Sequence, residues 1–228
     1  MPRARVPIVI LAGALALGGC GGDSGSKSET AATPSPSSSS NAPAACKQVP
    51  PPRHKPVVKL PKPKHALERG KTYVATVSTS CGDFQITLDS KQAPKTGGSF
   101  KYMADKGFFD GTTFHRIVPG FVIQGGDPKG NGTGGPGYSI VEPPPQDLTY
   151  TKGVVAMAKT ASEPPGTSGS QFFVVTAEDA NLPPDYALLG RVTSGQNVVD
   201  AIGVVETDQN TEAPIHPVVI SSIKVAEK

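Results

Sequence analysis

Phe114-His115-Arg116-Ile117-Val118-Pro119-Gly120-Phe121-Val122-Ile123-Gln124-Gly125-Gly126-Asp127 carries two short apolar runs, Thr113–Val118 and Phe121–Gln124, separated by Pro119-Gly120. Apolar runs of four to eight residues bounded by turn formers read as strands. One residue is out of character. Arg116 lies inside the first run, and an Arg in an apolar strand needs either a charged partner or an open groove, with a structural salt bridge as the competing account.

Working outward, the same short-strand pattern recurs. Tyr73-Val74-Ala75-Thr76-Val77 and then Phe84, Ile86 and Leu88 alternate with Gln85, Thr87 and Asp89, and Cys81-Gly82-Asp83 stands between them as a hairpin turn. Further apolar runs cover Gly153–Ala158, Gln171–Thr176, Leu188–Val192 and Val218–Val225. A helix is predicted from about Ala93 to Lys106, with Pro94 in its first turn, an apolar stripe of Phe100, Met103 and Ala104, and Gly97 and Gly98 weakening it. A second helix is predicted over Gln196–Ile202. Many short strands with two helices imply a mainly β chain closed into an antiparallel barrel, with the helices over its openings.

The first third of the chain is different. Of the 24 Pro, many precede residue 66, and there is no Trp. Arg3 and Arg5, the apolar run Val6–Leu17 and then Leu17-Gly18-Gly19-Cys20 read as an export signal over residues 1–19. The run is short for a membrane-spanning helix. Leu-Gly-Gly-Cys resembles the bacterial lipobox, which makes Cys20 a diacylated, palmitate-bearing N-terminus and the protein a lipoprotein on the extracytoplasmic face of the cell membrane; an ordinary signal peptide with an incidental Cys is the alternative. Residues 20–66 then read as a tether rich in Ser, Pro and Lys, and 67–228 as the folded domain. Export permits a Cys46–Cys81 disulfide, but two independent thiols fit the sequence equally well.

The formal charge is +3, yet Lys47, Arg53, Lys55, Lys59, Lys62, Lys64, Arg69 and Lys71 crowd one stretch against Glu68, so the folded part is close to neutral. That excludes a basic nucleic-acid-binding face. Gly125–Gly137 lacks the Gly-Lys-Ser or Gly-Lys-Thr of a phosphate loop. Ser168 and Ser170 lack a nucleophile elbow, and Cys and His do not cluster at metal-ligand spacing.

The motifs FHRIVPGFVIQGGD, GNGTGG, GVVAMAKT and GSQFF, taken in order from Phe114 to Phe173, resemble the cyclophilin family. The resemblance runs from about Tyr73 to Val225, through Ala93-Pro94-Lys95-Thr96 and Gly107-Phe108-Phe109-Asp110-Gly111. It implies an eight-stranded barrel whose outer groove binds Xaa-Pro peptides and isomerises the prolyl bond. By resemblance, Phe121, Val122, Phe173 and Leu182 line a proline pocket with Tyr186 as an aromatic wall. Gln124 and the backbone of Ala158 and Lys159 hold the peptide, and Gly132, Thr133, Thr160 and Gln171 border the neighbouring groove.

Isomerisation breaks amide conjugation at a barrier of about 18 to 20 kcal/mol and cleaves nothing. It needs no nucleophile, metal or cofactor. It needs a pocket for the ring and a donor for the twisted amide, and the fixed fork of Arg116 suits the second task.

Three positions depart from the resemblance. Asn181 stands where many cyclophilins have a Trp that contacts cyclosporin, Val122 where Met is common, and Tyr186 where His is frequent, so binding of a cyclosporin-type ligand is expected to be weak. The expected partners are proline-containing segments of exported proteins and, through its anchor, the membrane, with no nucleic acid and a monomer as the default. The competing function is a holdase that uses the same groove with turnover dispensable.

Overall fold

Alternation becomes strand pairing in the computed structural model of the chain, which describes residues 46–52 and 58–228. The export signal, Cys20 and the tether up to residue 45 lie outside the described residues. Strands β1 (Tyr73–Thr79), β2 (Gly82–Leu88), β3 (Thr112–Val118), β4 (Val122–Asp127), β6 (Val154–Met157), β8 (Phe172–Val175), β9 (Leu188–Ser194) and β10 (Val219–Glu227) close a barrel in the order β1-β10-β3-β4-β8-β6-β9-β2. Their pairings are antiparallel. Helices α1 (Pro94–Asp105) and α2 (Gln196–Ile202) stand where periodicity placed them.

The structure adds one feature and corrects another. Two two-residue strands, β5 (Ile140–Val141) and β7 (Thr167–Ser168), pair apart from the barrel, and segments that short carry no readable period. The first hairpin turn is Ser80-Cys81 rather than Cys81-Gly82-Asp83, because Thr79 pairs directly with Gly82. The Thr79 hydroxyl fixes that register, donating to the Gly82 carbonyl at 2.7 Å and accepting from the Cys81 N–H at 3.0 Å.

The barrel is filled. Phe84, Phe114 and Phe172 from its strands meet Phe100 of α1 and Phe109, all at most 1% exposed, with Phe172 edge-on to Phe100 and Phe114 at 5.6 and 6.0 Å. Such edge-to-face pairs contribute roughly 0.5 to 1.5 kcal/mol beyond area burial. Val198, Val199 and Ile202 of α2 join the same core. With the interior packed, any peptide site must lie on the outside.

Packing against the barrel is also made by residues before 67. Cys46 is disulfide-bonded to Cys81, the Lys47 N–H donates to the Ser80 carbonyl at 2.9 Å, and the Leu60 N–H donates to the Pro136 carbonyl at 2.8 Å. Leu67 is buried against α1, and the two helix glycines explain how. A Cβ on Gly97 would stand 2.4 Å from Leu67 Cδ1, and one on Gly98 would stand 2.7 Å from the His65 carbonyl oxygen, so this face of the helix must be bare. The carboxylate of Glu142 offsets their low helix propensity by capping the first turn, accepting from the Thr96 N–H at 2.7 Å and its hydroxyl at 2.8 Å.

The Cys46–Cys81 link closes a loop of sequence separation 35. By the chain-entropy account, breaking it lowers stability by about 3 to 4 kcal/mol. Urea denaturation with and without reductant measures this; unchanged midpoints would show that the link does not restrain the unfolded chain.

Candidate active site

The side chain of Arg116 owes its direction to an irregularity in β3. Thr112 and Phe114 point into the barrel, and strict alternation would send Arg116 after them. The register instead passes from Phe114↔Gly125 to Arg116↔Gln124, leaving His115 as an extra residue. This bulge changes the phase of the strand, so Ile117 becomes the next interior residue and Arg116 faces outward.

Outside, a row of paired residues runs from Arg116 through Gln124 and Phe173 to Ala156 and Leu188. The apolar members of this row belong to a second cluster, separate from the barrel interior, that includes Val122, Tyr150, Val154 and Val175. A slot of about 180 Å³ opens in it. Arg116, Phe121, Val122 and Gln124 line one part of the slot, and Ala158, Lys159, Phe173, Leu182 and Tyr186 complete it. Packing of Phe173 and slot lining are therefore one role: the ring is only 4% exposed yet forms a wall.

A larger groove of about 650 Å³ adjoins the slot, and Gln124, Ala158 and Lys159 border both. Gly132, Thr133, Thr160 and Gln171 line this groove. The residues named from sequence for peptide binding thus all fall on two adjoining depressions.

Polar contacts hold the walls still. The Gln124 side-chain amide donates to Gln171 Oε1 at 3.0 Å, and Gln171 donates to the carbonyls of Gly132 and Gly134 at 2.9 and 3.0 Å. The Lys159 ammonium is buried at the shared border, paired with Asp185 at 2.6 Å and 5.6 Å from the centre of the Tyr186 ring. Tyr186 is fixed from behind by Tyr150, whose hydroxyl donates to the Tyr186 carbonyl at 2.6 Å and accepts from its N–H at 3.0 Å. Burial pushes the Tyr150 phenol up to about 12, so this hydroxyl keeps its proton throughout the physiological range.

Arg116 meets both conditions set for it from sequence. Its Nε donates to Glu212 Oε2 at 2.5 Å, and it also lines the slot. Among the described residues, no hydrogen bond engages either terminal nitrogen. Reading the sequence missed Glu212, 96 positions away, because no local pattern links the two. It also missed Tyr150, and Lys59, which reaches the larger groove from the segment ahead of the barrel.

A slot with apolar walls from Phe121, Val122, Phe173 and Leu182 and a guanidinium at its side, adjoining a groove for extended chain, can seat a ring and polarise an amide next to it. Residues 74–225 match the family described as cyclophilin type peptidyl-prolyl cis-trans isomerase/CLD. The chain is 40% identical over 170 residues to peptidyl-prolyl cis-trans isomerase B of Streptomyces anulatus, covering 66% of this chain and 95% of that protein. It is 38% identical over 173 residues to peptidyl-prolyl cis-trans isomerase A of Mycobacterium tuberculosis, covering 68% and 93%. A crystal structure of a cyclophilin type isomerase from Cryptosporidium parvum superposes with a TM-score of 0.63 at 30% identity, covering 69% of this chain and 99% of that one. That protein was also solved in the presence of the dipeptide Ala-Pro, with a TM-score of 0.62 and coverage of 68% and 99%. The chain belongs to the cyclophilin-type peptidyl-prolyl cis-trans isomerases, and as an enzyme it is an isomerase of that class.

The bulged His115 gives the stability of the fold a pH dependence. Burial lowers the pKa of its imidazole from 6.5, with Asp127 acting in the opposite sense. The folded state therefore favours the neutral ring. Its contribution is full above the unfolded value and declines as pH falls through the folded one. Urea denaturation should show stability decreasing below about pH 6.5, with a shallower decrease in His115→Gln; identical slopes would assign the loss to other groups.

Proposed function

We propose that this isomerase acts on Xaa-Pro bonds of exported proteins at the outer face of the membrane, held there by a lipid on Cys20. In this reading residues 1–19 are the signal, the anchor and tether begin at Cys20, and 67–228 is the isomerase domain, onto which Cys46, Lys47 and Leu60 of the preceding segment are fastened. The order Arg3, Arg5, Val6–Leu17, Leu17-Gly18-Gly19-Cys20 supports the anchor, and two acyl chains on one Cys give stable attachment.

The proline ring enters the slot between Phe121, Val122, Phe173 and Leu182, with Tyr186 beside it. Residues preceding the proline lie along Gly132, Thr133, Thr160 and Gln171, and hydrogen-bond near Gln124, Ala158 and Lys159. As the amide leaves planarity its nitrogen lone pair localises. Arg116 then donates from its terminal nitrogens to the twisted amide more strongly than to the planar one, and only such selective stabilisation raises the rate. Each 1.4 kcal/mol gained is roughly tenfold. No step transfers electrons or breaks a σ bond, so the chemistry asks for no cofactor. Asn181 and Val122 reduce the contacts available to a cyclosporin-type ligand, which binds weakly.

The observation that carries this reading is the guanidinium lining a slot walled by Phe121, Val122, Phe173 and Leu182, with its outer nitrogens free of hydrogen bonds among the described residues. Arg116→Ala is expected to lower kcat/KM on a proline tetrapeptide by about a hundredfold or more, a loss of roughly 2.7 kcal/mol of transition-state stabilisation, with an unchanged circular dichroism spectrum. Near-normal turnover would remove the mechanism. The anchor has a separate test: Cys20→Ala should end palmitate labelling and release the protein from membranes, whereas continued labelling would place the lipid elsewhere.

A further inference from the structure

The segment between α2 and β10 folds back on itself before rejoining the barrel. Thr207 and Pro214 form a bridge, the Ile215 N–H donates to the Glu206 carbonyl at 2.9 Å, and the Asp208 N–H donates to the Ala213 carbonyl at 2.8 Å. Inside the arm, Asp208 Oδ1 accepts from the N–H groups of Asn210 and Thr211 and from the Thr211 hydroxyl. The result is a closed arm with Glu212 near its tip.

Glu212 has φ +58. The other non-glycine residue at positive φ among the described residues is Asn181, whose short polar side chain tolerates that region. A long carboxylate side chain does not favour it. The strained residue makes three contacts that fix its place. Its N–H donates to the Asp208 carbonyl at 2.8 Å, its carbonyl accepts from the Ile117 N–H at 2.8 Å, and its carboxylate accepts from Arg116 Nε at 2.5 Å. Glu212 thus grips two successive residues of β3, one through backbone and one through side chain, just past the bulge that turns Arg116 outward.

The ion pair is a poor stabiliser of the fold. Its side chains are 35% and 43% exposed, and pairs in that situation contribute little against solvent screening and side-chain entropy. What it does well is orient. Holding Nε fixes the plane of the guanidinium, and among the described residues neither terminal nitrogen makes a hydrogen bond.

We propose that Glu212 is a positioning residue for Arg116, locking the guanidinium by its Nε so that the terminal nitrogens are presented to the prolyl amide in the slot. This rests on the reading of Arg116 as the donor. Glu212 touches no substrate and acts through Arg116 alone. It therefore affects turnover more than peptide binding, since the slot walls and the groove do not depend on it.

The decisive variant is Glu212→Gly in the full chain, because glycine suits the positive φ and the arm keeps its backbone bonds. The thermal midpoint should equal or exceed that of the parent. On a proline peptide followed by exchange NMR, KM should stay within about twofold while kcat falls about tenfold, as expected when a catalytic group is slightly misplaced rather than removed. The Arg116 Nε–H resonance should move toward that of a solvent-exposed arginine. Glu212→Gln, which keeps an acceptor without the charge, should lose less. Parent kcat in Glu212→Gly, or a lowered midpoint with kcat intact, overturns the proposal and leaves Glu212 as a brace for the arm. The two readings separate cleanly: an active Arg116→Ala defeats the donor itself, whereas an inactive Arg116→Ala beside a fully active Glu212→Gly defeats the positioning role alone.

Discussion

One unpaired residue in β3 sets the geometry on which the site depends. Thr112 and Phe114 face inward before it and Ile117 faces inward after it, so the extra His115 moves the position between them from the barrel interior to its outer wall. In an unbroken strand Arg116 would point into a core of Phe114, Phe172 and Ile123, where an isolated charge is prohibitively costly. The same residue type at the same position in the sequence is thus either a folding defect or the cation of a binding slot. The bulge, and the pairing of Arg116 with Gln124 that follows it, decide which.

That arrangement works because the barrel wall is packed on both faces. Inward-facing residues pack the interior, and alternate residues of β4, β6, β8 and β9 build a second apolar cluster outside. A slot in an outer cluster would collapse or wander if loops alone supported it. Here Phe173, Val122 and Ala156 stand on paired strands, and Tyr150 fixes Tyr186 by both its carbonyl and its N–H. The depression is consequently preorganised, so binding a proline ring there orders little of the protein.

Polar contacts distribute the work at its border. Lys159 is committed to Asp185, and Gln171 is committed to Gln124 and the loop carbonyls, so both act as fixed walls. Among the described residues, Arg116 is hydrogen-bonded only through Nε. Among the described cations of the slot, it alone combines a fixed attachment with unengaged outer nitrogens, the combination that a donor to a transient, twisted amide requires.

Much of this was legible in the residues. Alternation at Tyr73–Val77 and Phe84–Leu88, Pro94 ahead of an apolar stripe, and Pro-Gly between the two central runs are local signals, because side-chain period and turn chemistry act within a few residues. The order of the motifs from Phe114 to Phe173 likewise indicated the family and the residues that line both depressions. The two-residue strands β5 and β7, the exact turn at Ser80-Cys81, the bulge at His115 and the contact between Arg116 and Glu212 were not legible. Each depends on a partner strand or arm brought close only by closure of the barrel, and register is a property of two segments together. Sequence determined which side chains were available for the chemistry; tertiary structure decided which way Arg116 faced and what held it, since those forces act across space between residues far apart in the chain.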